Sequence, residues 1–305
     1  MRPCACGRES VHFARYSGEH LCDAHLRESV ERRVRRDLRK QGPFKDARIA
    51  VGLSGGKDSV VTLRLLRETF APDPRVEIVA VTVDEGIAQY RPPGVEIARR
   101  HCREAGVEHL VLSYEEIAGL RMDDVAANPE RRHMPCAYCG VLRRRALNEA
   151  ARRVGATHVA TGHNLDDVAQ TILMNHLRAD YDRMARMGPH SLETAQPGLV
   201  PRVMPLRSVP EKEVALYAIL RGWEFHDAEC PYSGEATRGR FRDVLLSLEE
   251  QEPGTRHALL AGHGKLAPLL PRGSTIRPCA KCGEPASGER CRACALVEEA
   301  GGRLS

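Results

Sequence analysis

Ser54-Gly55-Gly56-Lys57-Asp58-Ser59 lies between an apolar run at residues 48–53 (RIAVGL) and a helical pattern at 60–70 (VVTLRLLRETF). A strand that breaks into two glycines and resumes as a helix is suited to holding an anion. The glycines let the backbone turn tightly and approach a ligand closely. The helix N-terminus presents free amide groups and the positive end of its dipole. Ser54, Lys57 and Ser59 add side-chain donors. The spacing is not the GxxxxGK[ST] of a Walker loop. An ordinary glycine turn with a serine or aspartate cap is the plain alternative, and the position of the motif between strand and helix argues against it.

The same alternation continues outward. Residues 76–86 read as a strand, 97–107 as a helix, 108–114 as a strand, 139–155 as a helix, 157–163 as a strand and 164–177 as a helix. Strands alternating with helices predict a parallel sheet covered on both faces. Ligands of such sheets sit at the carboxyl ends of the strands. Val83 and Asp84 end the second strand there, and Gly162-His163-Asn164-Leu165-Asp166-Asp167 ends the fourth. The aspartates are candidates for holding magnesium or positioning a substrate; a helix N-terminal charge interaction is the alternative. Upstream, residues 26–42 predict a basic amphipathic helix with Leu26, Val30, Val34 and Leu38 on one face, ended by Gly42-Pro43. Downstream, 178–201 reads as loop, 210–223 and 233–253 as helical, and 254–278 as a linker.

Eleven cysteines punctuate the chain. Cys4, Cys6, Cys22 and His25 form an N-terminal set; Cys279, Cys282, Cys291 and Cys294 form a C-terminal set. Both have the spacing of closed tetrahedral zinc sites, which fold segments too short for a core of their own. Cys136 and Cys139, with the distant Cys230, are three thiols with no evident fourth ligand. Their place at a helix start favours thiolate. Three thiolates can carry a 4Fe-4S cluster with one iron left open. Zinc with water, or a redox dithiol carrying a persulfide, are the alternatives. Cys102 reads as a buried small residue.

At 305 residues and 42% hydrophobic, the chain can hold one sizeable α/β domain plus small appendages. No apolar run approaches the roughly 18 residues of a membrane span, and no secretory h-region is visible. A cytoplasmic location is therefore expected, where paired thiols bind metal more often than they form disulfides. The formal charge of +5 falls to about +1 once metal-bound cysteines count as thiolates, so net charge says little about nucleic acid. Distribution says more. Forty of the basic residues are arginines, whose planar fork suits phosphate. They crowd Arg32–Lys40, then Arg131, Arg132 and Arg143–Arg145 beside the middle cysteines. Such clusters suit phosphate contacts, and a solvated helix face is the alternative.

The SGGKDS stretch resembles the PP-loop ATP pyrophosphatases, which split ATP between its α- and β-phosphates and adenylate a carbonyl or amide; GHNLDD resembles their second signature. The full order of motifs is similar to the TtcA/TtuA family of tRNA 2-thiolation enzymes, in its TtuA-like branch: the first Cys/His set, SGGKDS, PCAYCG (135–140), GHNLDD, PLRSVPEKE (205–213), ECPYS (229–233) and the last CxxC pairs. The resemblance implies an α/β, parallel-sheet PP-loop domain (HUP-like, Rossmann-like) at 31–253, flanked by zinc modules at 1–30 and 272–305, with a linker at 254–271. It implies ATP and Mg2+ at Ser54, Gly55, Gly56, Lys57, Asp58, Ser59, Val83, Asp84, Gly162 and Asp167. A 4Fe-4S cluster is implied on Cys136, Cys139 and Cys230, and two Zn2+ in the end modules. Catalytic roles fall to Cys139, Cys230, Lys57, Asp58, Arg143, Asp166 and Asp167.

What the family does sets the expected activity: ATP-dependent replacement of the uridine C2 oxygen of tRNA by sulfur, at the wobble position or at the T-loop ribothymidine. The implied sulfur source is a ubiquitin-like carrier ending in a glycine thiocarboxylate, or inorganic sulfide, and the implied assembly is a homodimer. Persulfide-based thiolation, another PP-loop adenylating ligase and a non-catalytic zinc-bearing RNA-binding protein are the other readings. Two positions depart from the pattern. Arg143 stands four residues after the CxxC, which bears on proton transfer if a lysine is preferred there, and the N-terminal pair is CxC rather than CxxC.

Overall fold

The computed structural model describes residues 2–190, 198–233, 238–270 and 276–304. The first segment pairs two short strands, β1 (His12–Ala14) and β2 (Glu19–Leu21), into a hairpin. Helix α1 (Asp23–Gln41) follows and buries Leu26, Val30, Val34 and Leu38, the face marked by their four-residue spacing. Then come β3 (Arg48–Gly52), α2 (Lys57–Phe70), β4 (Glu77–Asp84), α3 (Arg91–Ala105) and β5 (Glu108–Ser113). Two short helices, α4 (Tyr114–Ala118) and α5 (Met122–Ala127), precede the long α6 (Pro135–Arg153). Next are β6 (His158–Ala160), α7 (Leu165–Leu177), α8 (Tyr181–Ala185), β7 (Arg202–Val203) and α9 (Glu211–Leu220). The chain ends with α10 (Arg238–Gln251), α11 (Thr255–Leu266), the ribbon strands β8 (Arg277–Pro278) and β9 (Pro285–Ala286), and α12 (Arg292–Glu299).

The central sheet has the order β5-β4-β3-β6-β7, with every pair parallel. Its two faces divide by the two-residue period of a strand. Ile49, Val51, Ile78 and Ala80 pack with α1, α2, α3 and α9. Ala50, Val79, Val81 and Val83 pack with α4, α5, α6 and α12. Strand order reverses between β3 and β6, so a crevice opens at their carboxyl ends. Among the described residues, no helix is long and apolar enough to cross a membrane.

The structure departs from the sequence expectation in four places. Residues 178–201 hold α8 among their described part. The sheet has a fifth strand, β7, of two residues. α4 and α5 fill the stretch between β5 and α6. Residues 255–266, expected within a linker, form α11, held to α7 and α10 by Arg256, which pairs with Asp166 and Glu249. Residues 234–237 and 271–275, inside the expected helical region and linker, lie outside the described residues.

Both end segments are fastened to the central domain. Tyr16 donates to Glu213 at 2.8 Å, and its ring lies tilted against that of His257 with centroids 4.3 Å apart. His12 lies 3.5 Å from the same Glu213, and Arg33 pairs with it. At the other end, Tyr138 and the Arg132 amide both donate to Glu299. Arg152 pairs with Glu284, and Arg145 donates to Cys282 Sγ at 3.2 Å.

Candidate functional site

Residues 53–56 connect β3 to α2 and close on themselves. The Ser54 amide and hydroxyl meet the Ser59 hydroxyl at 3.1 and 3.2 Å, and the Ser59 hydroxyl donates to the Gly56 carbonyl at 2.8 Å. Gly55 has φ +85°, and a Cβ there would sit 2.2 Å from the Gly94 carbonyl oxygen at the start of α3. Only glycine satisfies both conditions. The His226 amide donates to the Gly55 carbonyl at 2.9 Å, fixing the loop from the far side. Lys57 begins α2, and its ammonium lies 3.0 Å from Asp58 and 2.9 Å from Glu211. Burial works against the Lys57 charge, but those two carboxylates outweigh it and hold the group above its usual range.

The second signature lies against this loop. A Cβ on Gly162 would come within 2.8 Å of the Asp58 carbonyl, so the two connections touch backbone to backbone. Asn164 caps α7 in a reciprocal box with Asp167, and its amide donates to Asp58 at 3.1 Å. Burial pushes both Asp58 and Asp167 up, despite Lys57 and Arg238 beside them. Two carboxylates crowded in one desolvated crevice fit a divalent cation with oxygen ligands. Asp166 is engaged elsewhere: it accepts from the Glu211 amide at 2.8 Å and pairs with Arg256. Its carboxylate joins α7, α9 and α11. Asp84 ends β4 and accepts from the Gly86 amide at 2.8 Å, and Val83 is buried beside it.

Two residues absent from the sequence reading connect this crevice to the cysteines. Glu85 is 1% exposed and faces Arg91 on one side and Arg143 on the other. Arg91 also donates to the Ser54 carbonyl at 3.0 Å. Arg143 donates to Glu85 at 3.0 Å and to Cys139 Sγ at 3.2 Å. An arginine–carboxylate–arginine bridge therefore runs from the phosphate loop to a middle thiol. The only sequence signal was position, since Glu85 directly follows the strand end at Asp84. Burial pushes the Cys139 thiol up, and Arg143 opposes it. The expected thiolate preference of a helix start is outweighed here by desolvation, because Cys139 is the fifth residue of α6, past its first turn, and lies against Tyr114.

Cys136 donates to the Tyr232 carbonyl at 3.3 Å, and the Tyr232 hydroxyl donates to Asp123 on α5 at 2.8 Å. This ties the segment carrying Cys230 to the start of α6. Cys139 and Cys230 pack against the same apolar cluster. Among the described residues, only the two end sets bring all their ligand atoms within 4.8 Å of one another. A single zinc with bonds of about 2.3 Å needs its sulfurs that close. A four-iron cluster places each thiolate on a separate iron, which suits the wider middle set. Cys136, Cys139 and Cys230 are the residues that would hold it.

Each end set fits one tetrahedral ion. Cys6 and Cys22 sulfurs lie 3.7 Å apart, and His25 Nδ1 lies 3.0 Å from Cys4 and 3.6 Å from Cys22. The CxC pair therefore converges as well as a CxxC. In the ribbon, Cys279–Cys294 and Cys282–Cys291 are 3.7 and 3.6 Å apart. Backbone amides of Lys281 and Cys291 donate to Cys279 Sγ. Against burial, these amides bring the Cys279 thiol down to about 6. All eleven cysteines are free of disulfides. Cys102 is buried in the core, where desolvation raises its thiol to about 11.

Comparison with known proteins agrees with this geometry. A PP-loop domain family model matches residues 26–249. The tRNA 2-thiolation protein NcsA of Haloferax volcanii is 43% identical, covering 96% of this chain and 97% of its own. The tRNA-5-methyluridine(54) 2-sulfurtransferase of Pyrococcus horikoshii is 34% identical over 95% of this chain and 91% of its own. Among solved structures, the U34-tRNA thiolase NcsA from Methanococcus maripaludis with its [4Fe-4S] cluster superposes with a TM-score of 0.79 at 33% identity. The match covers 89% of this chain and 90% of that one.

Proposed function

The chain belongs to the PP-loop family of tRNA 2-thiolation proteins, and from that membership we propose that it is an ATP-dependent tRNA uridine 2-sulfurtransferase. The observation that carries the reading is the Arg91–Glu85–Arg143 bridge, which couples the phosphate loop to Cys139. An ATP-using loop and a thiol site have no reason to share a buried ion cluster unless one reaction uses both.

ATP meets the loop at 53–57 with its phosphates on the α2 amides and on Lys57. The uracil C2 oxygen attacks the α-phosphorus, the bond to the β-phosphate breaks, and pyrophosphate leaves. Lys57 stays cationic at neutral pH and stabilises the charge that develops on phosphate. Asp58 and Asp167 would hold magnesium against the departing pyrophosphate. A sulfur nucleophile then attacks C2, and AMP leaves with the former carbonyl oxygen. When bound by Cys136, Cys139 and Cys230, an iron–sulfur cluster supplies an open iron for sulfide. Arg143 orients Cys139 and screens the thiolate.

The finer assignments extend the same reading. The sulfur comes from a ubiquitin-like carrier with a C-terminal thiocarboxylate, or from inorganic sulfide. The working unit is a homodimer in the cytoplasm. The test is Cys139→Ser, purified anaerobically, with wobble and T-loop uridines read by nucleoside mass spectrometry. Thiolation disappears while tRNA binding survives. Thiolation by the serine variant, or by iron-free wild-type protein, would replace the cluster mechanism with a different one.

A further inference from the structure

A cleft of about 1240 Å³ follows α6 from Cys136 to Asn148, between β6–β7 and the C-terminal module. Among the described residues, seven arginines line it against a single glutamate, Glu284, which is taken by Arg152, while Arg238 reaches out of the cleft wall to Asp167. Among the described residues, Arg144 and Arg202 meet no carboxylate, and the buried Arg202 Nε has no hydrogen-bond partner. Arg178 lies over the Phe241 ring at 6.0 Å, and Arg183 pairs only with Asp180 one turn away. Arg144 and Arg202 therefore face other guanidinium groups, Arg183 beside the first and Arg144 beside the second. Desolvation and then Arg183 push the Arg144 guanidinium down, and desolvation and then Arg144 do the same to Arg202.

Like charges held together in a partly dry cleft cost folding free energy, and an anion placed between them removes that cost. The phosphate loop at 54–59 is not part of the cleft wall, so ATP does not explain it. The floor is apolar, with Leu147, Val159, Leu199 and Pro201, and no Phe, Tyr or Trp lines it among the described residues. A base entering it would rest on aliphatic surface and on guanidinium planes, a mode used for single-stranded RNA. The cleft also ends at Cys136, one of the three middle thiols.

We infer that this cleft seats the sugar–phosphate backbone of the tRNA next to the target uridine, with Arg144 and Arg202 meeting its phosphates. The inference rests on the sulfurtransferase reading and adds the place of the substrate.

The test uses full-length protein and an unmodified tRNA transcript, with affinity measured by fluorescence anisotropy across a potassium chloride series. R144Q/R202Q binds tRNA about ten-fold more weakly, and its plot of log K against log salt is shallower by about 1.4–1.8, the loss of two phosphate contacts. ATP affinity stays at the wild-type value, the melting temperature holds or rises as the repulsion is relieved, and R144K/R202K recovers part of the affinity. R144Q alone covers the case in which the double variant does not fold. Unchanged tRNA affinity and salt slope would overturn the inference. So would a parallel loss of ATP affinity, which assigns the cleft to nucleotide phosphates. A loss of carrier-dependent thiolation with tRNA affinity intact would give the cleft to a protein partner, again overturning it. Wild-type protein that binds tRNA yet leaves it unthiolated sinks the sulfurtransferase reading instead, and leaves the cleft standing.

Discussion

Glu85→Gln removes one charge and almost no volume. Glu85 and Arg91 are 1% and 4% exposed, so the substitution strands a buried guanidinium without its counter-ion. Breaking a buried pair from one side costs about 3–5 kcal/mol. Arg143, the second partner, is 51% exposed and can turn to water, so the lower end applies, about 3 kcal/mol. At roughly 2–4 °C per kcal/mol for a domain of this size, the melting temperature falls by about 6–12 °C. The local consequence is separable. Arg91 also donates to the Ser54 carbonyl, so a displaced Arg91 loosens the phosphate loop, and ATP affinity drops. Scanning calorimetry on zinc-replete protein reads the first effect, and titration calorimetry with ATP reads the second. A melting temperature within about 2 °C of wild type would mean that the bridge contributes nothing, and the coupling of loop to thiol would lose its physical basis.

Gly55→Ala places a methyl against the Gly94 carbonyl at a backbone angle that L-residues avoid; ATP binding by titration calorimetry is lost while circular dichroism stays native, and retained affinity would refute the tight-turn argument. His109 is pushed down to about 4, first by burial and then by Arg99. Its folded form excludes the proton, so its contribution is fully present above about 6.5 and is lost as pH falls toward about 4. H109Q accordingly flattens the dependence of unfolding free energy on pH in that window; a slope equal to wild type would remove His109 from the account. Zinc stripped by a strong chelator leaves residues 276–304 open to limited proteolysis and lowers the melting temperature. Elemental analysis should find about two zinc per chain beforehand, and full protease resistance after stripping would deny the sites a structural role.

The parts of the fold that could be read from sequence are those written in local chemistry. SGGKDS, set between an apolar run and a helical pattern, reads as a strand-to-helix anion loop. Leu26, Val30, Val34 and Leu38 announced α1 by period, and all four are buried. What escaped depends on tertiary partners. β7 has two residues, too few for any period, and exists because Val159 and Ala160 lie beside it. α11 carries Gly262 and Gly264 and buries no side chain completely; Arg256, reaching Asp166 and Glu249, holds it in place. The same pairing explains Asp166. In sequence it is indistinguishable from Asp167, and only the fold reveals that its carboxylate joins three helices. Glu85 and Glu211 look like ordinary charged residues until Arg91, Arg143 and Lys57 arrive from distant segments.

Helix α6 carries Cys136 and Cys139 at its first turns and, from Arg145 to Arg152 further along, the anchors of the C-terminal module. Cys139 and Arg152 are about 20 Å apart along one rod. The ribbon is therefore a splint on the beam that holds the reactive thiols. Damage to the last thirty residues would be felt first as misalignment, in a chain that keeps Cys136, Cys139 and Cys230 and still turns over poorly. Truncated proteins of this kind should be judged by iron retention before they are judged by rate.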